Sequence, residues 1–271
     1  MPYFTTSDNC KIYYETKGFG SQKPVVVFLN GTAQTTLNWW PLAHALKDRF
    51  QVLMYDARAQ GRSDLGELSL SLECHAVDLS NLLNHLDVAA ACLAGVSHGA
   101  HLALALASSF PRSVDRMILC GIGADFTPRA RIVIRAWRRI LASGGVEALA
   151  WAMLPLVFGR TFLKNYEKKL GMIVKTIVRR NREKALAAHF EALKSYQAPA
   201  LMAKELKIPT LIISGEEDPF APGEKAKKLA GMCNGEHIHI RGAGHSVPVE
   251  MPELFAETVI EYFKTPHDIE L

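Results

Sequence analysis

Six short apolar runs set the strongest constraint on how this chain folds: Val25–Leu29, Val52–Tyr55, Ala91–Val96, Met117–Ile122, Thr210–Ser214 and, weaker, His237–Ile240. A strand with one face in water alternates apolar and polar residues. A run that is apolar at nearly every position must be covered on both faces, which points to a parallel sheet between helices. Helical segments do separate the runs. Ser71–Leu86 sets Leu72, Ala76, Leu79, Leu83 and Leu86 on one face, with Ser71 placed to cap the first turn and Glu73 inside it. His98–Phe110 is rich in Ala and Leu and stops before Pro111, and Gly223–Met232 and Pro252–Phe263 close the pattern. Ahead of the first run, Tyr3–Thr6 and Lys11–Thr16 flank Ser7-Asp8-Asn9 and read as a hairpin. The alternation predicts a doubly wound α/β sheet.

One stretch breaks it. From about Phe126 to about Ala203 there is no strand-like run. Helical segments near Arg129–Ser143, Gly145–Leu156, Thr161–Arg180 and Glu183–Tyr196 are punctuated by Gly144-Gly145, Pro155, Gly159 and Pro199. The expected division is an α/β body made of residues 1–125 and 204–271, with a helical insertion at 126–203. A length of 271 residues suits a single large α/β domain or a domain with one insertion. The insertion is electrically distinct. Residues 126–200 hold 15 Lys and Arg against 4 Glu and no Asp, a net charge of +11, and the remainder nets −7 within an overall +4. Solvated helix faces or the steering of an acidic partner would both account for such a segment. Its basic residues are not interleaved with base-stacking aromatics, which argues against nucleic acid. The best uninterrupted apolar run, Ala148–Phe158, has 11 residues, short of the roughly 18 expected of a membrane span. The opening residues carry neither the basic start nor the apolar run of a secretory signal. Five cysteines are scattered singly with no CxxC spacing, so neither a structural zinc site nor a disulfide framework is expected, and the reducing cytoplasm is the simplest compartment.

The chemistry concentrates at Gly95-Val96-Ser97-His98-Gly99, which is G-x-S-x-G. It ends one apolar run and opens a helix, the setting of a nucleophile elbow. The turn there is so tight that side chains at 95 and 99 would collide with their neighbours. A serine hydroxyl is a poor nucleophile unless a base takes its proton. Of the ten histidines, His44, His75, His85 and His101 fall in helical segments, His189 in the insertion, His237 and His239 on the last strand and His267 in the tail. His245 differs, because it follows Arg241-Gly-Ala-Gly in a flexible loop at the edge where the strands end, within reach of Ser97. The imidazole needs a carboxylate to fix its tautomer and stabilise its cation. Asp218, just past Thr210–Ser214 and backed by Pro219, is favoured; Glu216 and Glu217 are close competitors and Asp125 a more distant one. A developing oxyanion needs preorganised donors. The backbone N–H of His98, at a helix N-terminus, supplies one. Thr32, in the loop Asn30-Gly31-Thr32, supplies the other, with Gly31 permitting the bend and Asn30 and Gly31 bordering the substrate pocket. The His98 imidazole is a second candidate base, but beside Ser97 it is better placed to pack or to line the pocket.

On these residues the chain resembles the α/β-hydrolase superfamily over nearly its whole length. The blocks that carry the resemblance are LNGT (29–32), YDARAQGRSD (55–64), GVSHG (95–99), GEEDPFAP (215–222) and GAGHSVPVEMPELF (242–255). The resemblance implies an eight-stranded, mostly parallel sheet, a Ser97–Asp218–His245 triad and a helical cap between the sixth and seventh strands, where 126–203 falls. The family usually has His-Gly where this chain has Asn30-Gly31. Asn can brace the loop by side-chain hydrogen bonds, and similar variants occur among enol-lactonase-like members and enzymes of carrier-bound hydroxyacyl chains. Ala59 stands where Gly is common, a minor structural change. Ser97 excludes the branches with an aspartate nucleophile.

The expectation is therefore a serine hydrolase that cleaves a small-molecule carboxylic ester or lactone through an acyl-enzyme on Ser97, with no metal or organic cofactor required. The apolar residues of the insertion, among them Trp137, Leu141, Trp151, Met153, Leu154 and Phe162, divide between packing and an acyl pocket. The +11 insertion raises a second expectation, an acidic carrier (acyl carrier protein or coenzyme A) docking its acyl chain near Arg135, Arg138 and Arg139. Carbon–carbon bond hydrolysis, acyl transfer and a non-catalytic binding role are weaker alternatives.

Overall fold

The computed structural model describes residues 2–264; His267 and the end of the 204–271 segment lie outside the described residues. Strands form at each of the apolar runs and at both arms of the hairpin: β1 (Tyr3–Thr5), β2 (Lys11–Lys17), β3 (Val25–Leu29), β4 (Gln51–Tyr55), β5 (Ala91–Val96), β6 (Val114–Cys120), β7 (Thr210–Gly215) and β8 (Glu236–Ile240). They make one sheet in the order β1-β2-β4-β3-β5-β6-β7-β8. Pairing is antiparallel for β1 with β2 and β2 with β4, and parallel from β4 through β8. β6 starts earlier and ends earlier than the run Met117–Ile122, because Val114 pairs with Ala91.

The period-two geometry of the strands sorts their apolar residues onto two faces. Val27, Leu29, Leu53, Leu93, Leu119 and Ile212 face one layer, and Val26, Phe28, Met54, Ala94, Ile118 and Ile213 face the other. The first layer is covered by α2 (Leu72–His85) and α3 (His98–Ser109), through Leu79, Leu83, Leu102 and Leu106. The second is covered by α1 (Thr36–Leu46), a helix not anticipated because Pro41 interrupts its pattern. In α1, Trp39 stacks on Phe28 at 4.8 Å. In α2 the Ser71 hydroxyl accepts the Cys74 N–H at 3.1 Å, the cap expected of that serine.

Between β6 and β7 the described chain is helical: α4 (Pro128–Val157), α5 (Arg160–Tyr166), α6 (Leu170–Arg180), α7 (Glu183–Ala192) and α8 (Pro199–Ala203). The two segments expected at 129–143 and 145–156 are halves of α4, which bends at Gly145, where φ is 68°. The segment Thr161–Arg180 is broken by a tight turn at Glu167–Lys169, and Glu183–Tyr196 stops at Ala192. α4 has the length and composition of a bilayer-crossing helix. On it Trp137, Leu141, Leu149 and Met153 form a core with Leu186 and Phe190 of α7, while Ile132 and Trp151 stay exposed. After β7 come α9 (Gly223–Met232), α10 (Val247–Glu250) and α11 (Pro252–Phe263). Leu229 of α9 joins the first layer, and Phe255 and Phe263 of α11 join the second.

Candidate active site

Ser97 sits between β5 and α3 with φ 52° and ψ −112°, a conformation a non-glycine residue holds only where its surroundings impose it. The flanking glycines are forced by space. A Cβ at Gly95 would lie 2.4 Å from the Gly99 carbonyl oxygen, and one at Gly99 would lie 2.2 Å from that of Leu29. The Ser97 N–H donates to the Cys120 carbonyl at 2.8 Å, which ties the elbow to β6.

His245 and Asp218 meet across two loops at the same end of the sheet. His245 Nδ1 and Asp218 Oδ2 are 2.8 Å apart, which leaves Nε2 as the ring nitrogen free for Ser97. The other carboxylate oxygen, Oδ1, accepts the N–H groups of Phe220 at 2.8 Å and Ala221 at 3.1 Å. Burial alone would raise the Asp218 carboxyl; the His245 charge and these hydrogen bonds outweigh it and hold the group below the usual carboxylate value. The competing carboxylates are engaged elsewhere. Glu216 accepts from Gly242 N–H at 2.9 Å, Glu217 from Arg160 N–H at 2.7 Å, and Asp125 from Lys225 at 3.1 Å.

Two backbone N–H groups near Ser97, those of Thr32 and His98, have no hydrogen-bond partner among the described residues. That is what an oxyanion hole requires before substrate arrives. Asn30 is a correction. It is buried and faces away from the cavity, donating through Nδ2 to the Tyr55 carbonyl at 3.0 Å and to Asp56 at 3.2 Å, and accepting from Trp39 Nε1 at 2.9 Å. It braces the loop rather than bordering substrate, whereas Gly31 does line the cavity. Ala59 also departs from expectation: it holds φ 65°, where glycine is at ease and alanine is strained by about 1–2 kcal/mol.

A cavity of about 480 Å³ opens over Ser97 and His245. Its walls are mostly apolar and come largely from the insertion, with Trp137, Met153, Leu154, Phe162 and Phe190 facing Phe220 of the body. Leu141 and Leu149 are packed inside the insertion, and Trp151 is exposed. The His98 imidazole is fully buried beside Tyr196, and burial drives its pKa well below the ordinary value, so it stays neutral. No group of three or more His, Cys, Asp or Glu among the described residues is arranged to hold a metal ion.

Several contributors escaped the sequence. Glu250 accepts the N–H groups of Gly159 at 2.8 Å, Gly244 at 2.9 Å and Ser246 at 3.1 Å, stapling the His245 loop to the end of α4. Burial raises its carboxyl against those three donors. Gln34 braces the Thr32 loop, accepting from Gly31 N–H at 2.8 Å and donating to Ser246 Oγ at 3.2 Å. Glu250 lies in the block that carries His245, but nothing in its spacing marks which N–H groups it meets.

The geometry has counterparts. The model of the alpha/beta hydrolase family matches residues 26–258. Over its whole length the chain superposes on MGS-M2, an alpha/beta hydrolase from a Medee basin deep-sea metagenome library, with a TM-score of 0.90, 27% identity and full coverage of both chains. It is similar to the enol-lactonase from Burkholderia xenovorans LB400, with a TM-score of 0.86 and 26% identity over 96% of this chain and 99% of that one. It is 27% identical to the 2-hydroxy-6-oxononadienedioate/2-hydroxy-6-oxononatrienedioate hydrolase of Escherichia coli over 94% of this chain and 92% of that protein. With a mostly parallel sheet of this order, an elbow serine at its centre and a family match across most of its length, the chain belongs to the alpha/beta hydrolase family.

Proposed function

We propose that the protein is a serine hydrolase acting on a carboxylic ester or lactone. The observation that carries this reading is the strained Ser97 elbow on the floor of an apolar cavity that also holds His245, itself paired with Asp218. Ser97 Oγ attacks the carbonyl carbon as His245 Nε2 takes its proton. The Thr32 and His98 N–H groups receive the oxyanion. The bond to the leaving oxygen breaks, and His245 returns the proton to it. Water then attacks the acyl-enzyme by the same route, releasing the acid and Ser97. A volume of about 480 Å³ lies within the range of roughly 300–1,000 Å³ usual for small-molecule sites. The test is release of p-nitrophenol from acetate, butyrate, octanoate and palmitate esters by wild type beside Ser97→Ala. Turnover should fall by at least about 10⁴-fold in the variant; wild-type rates in Ser97→Ala would sink the reading.

A second reading, hydrolysis of a carbon–carbon bond in a keto acid, is favoured by one feature. Arg180 lines the cavity, and its Nε is buried with no partner among the described residues, a cation suited to a carboxylate. The Escherichia coli relative is named for a dioate substrate. Consumption of a 2-hydroxy-6-oxo dienedioate by protein inert on the esters would select it. The acidic-carrier proposal rests on the outer face of α4, where Arg131, Arg135 and Arg139 are exposed one turn apart while Arg138 pairs with Glu191. Charge reversal at Arg135 and Arg139 should then weaken turnover of a carrier thioester and spare p-nitrophenyl esters.

A further inference from the structure

The loop that carries the Thr32 N–H is held from two sides. The body holds its start, where Gln60 Nε2 donates to the Gly31 carbonyl at 3.1 Å. The insertion holds its middle. His189 Nε2 of α7 lies 2.9 Å from Thr32 Oγ1, and Asn181 Nδ2 donates to the Ala33 carbonyl at 3.1 Å. Ala33 has φ 63°, so this turn persists only where its surroundings fix it. His189 is buried, and its ring meets that of His98 edge to face at 4.5 Å. It therefore touches both residues whose backbone N–H groups stand without partners beside Ser97.

We propose that His189 is a positioning residue for the oxyanion hole. Through the Thr32 hydroxyl it fixes the aim of the Thr32 N–H, so the hole is complete only when α7 is seated on the body. The inference rests on the serine-hydrolase reading above. A donor displaced by about 1 Å forfeits much of its effect on the transition state while leaving substrate binding nearly intact. A histidine that merely docks the insertion would change stability and KM instead.

The experiment compares wild type, Thr32→Val, His189→Leu, His189→Gln and the Thr32→Val/His189→Leu double variant. It reads kcat and KM on p-nitrophenyl butyrate, the rate of Ser97 labelling by a fluorophosphonate, and Tm. Thr32→Val keeps the backbone N–H and nearly the same shape, so it tests the bond even if His189→Leu folds poorly. Each single variant should lose about 10–100-fold in kcat and in labelling rate, with KM within about threefold. The double variant should be no worse than the worse single, since both remove one bond. His189→Gln, whose amide can replace Nε2, should regain most of the loss. Unchanged rates in Thr32→Val, losses that multiply in the double variant, or a loss that follows Tm and is not rescued by Gln would overturn the proposal while leaving the serine-hydrolase reading standing. Wild type that resists labelling at Ser97 would overturn both.

Discussion

The body and the insertion bury their apolar residues in different ways. In the body, one sheet serves two continuous layers, so neighbouring residues of a single strand commit to opposite sides and the strands β3 to β7 are fixed by both. The insertion has no sheet. Its apolar side chains divide between one core around Trp137 and Phe190 and another around Ala150, Leu154 and Val174; others line the cavity, and Met172 and Trp151 stay exposed. The body fixes the places of Ser97 and Asp218, whereas the His245 loop is tied to both regions, its N–H donating to the Val157 carbonyl at 2.9 Å. The walls of the cavity, by contrast, come largely from the insertion.

That contrast can be broken by substitutions on each side. The largest effect belongs to the body. Asp218→Asn should leave the fold intact and lower kcat by about 10⁴-fold, because the amide no longer fixes the tautomer of His245; near-normal kcat with unchanged Tm would mean another group orients the imidazole. In the insertion, Phe190→Ala should cost about 3–5 kcal/mol in urea unfolding and shift the ester chain-length preference, since Phe190 belongs to a core and to the cavity wall at once. An unchanged preference would mean that the insertion does not choose the substrate.

The smallest effect concerns pH and spans both regions. Burial holds His75 at about 3 and His101 and His189 at about 4, and pushes His98 well down. In the unfolded chain such groups titrate near about 6.5. Between roughly pH 6.5 and 4 the unfolded chain binds protons that the folded chain refuses. The stability due to neutral burial is thus complete above about pH 6.5 and is lost as the pH drops toward the folded-state values. Neither ring nitrogen of His75 has a hydrogen-bond partner among the described residues. His75→Phe should therefore flatten the fall of Tm between pH 6.5 and 4, and an unaltered slope would show that His75 takes up its proton without unfolding.

The same contrast governs what could be read in advance. The strands were legible because double burial writes itself as continuous apolar runs, and Ser97, Asp218 and His245 because their residue types follow strand ends in a fixed order. The insertion was legible as helical but not in detail. Gly144-Gly145 reads as a break, yet the chain resumes its helix past one residue at φ 68°, and nothing local marks the turn at Glu167–Lys169. His189 and Asn181 gave no signal because their partners, Thr32 and Ala33, lie 157 and 148 positions away. Asn30 pointed to the pocket by its place in the chain, but Trp39 and Tyr55 claim its amide, and only packing reveals that.

β6 ends at Cys120 and β7, its neighbour in the sheet, begins at Thr210, with the whole insertion in between. A ribosome therefore delivers Ser97 long before Asp218 and His245. A chain halted inside the insertion carries Ser97 with neither Asp218 nor His245, a hydroxyl with no proton acceptor. Closing so long a loop is entropically slow compared with the local pairing of β3, β4 and β5. On the proposed reading the nascent protein stays chemically silent until its last quarter has threaded home.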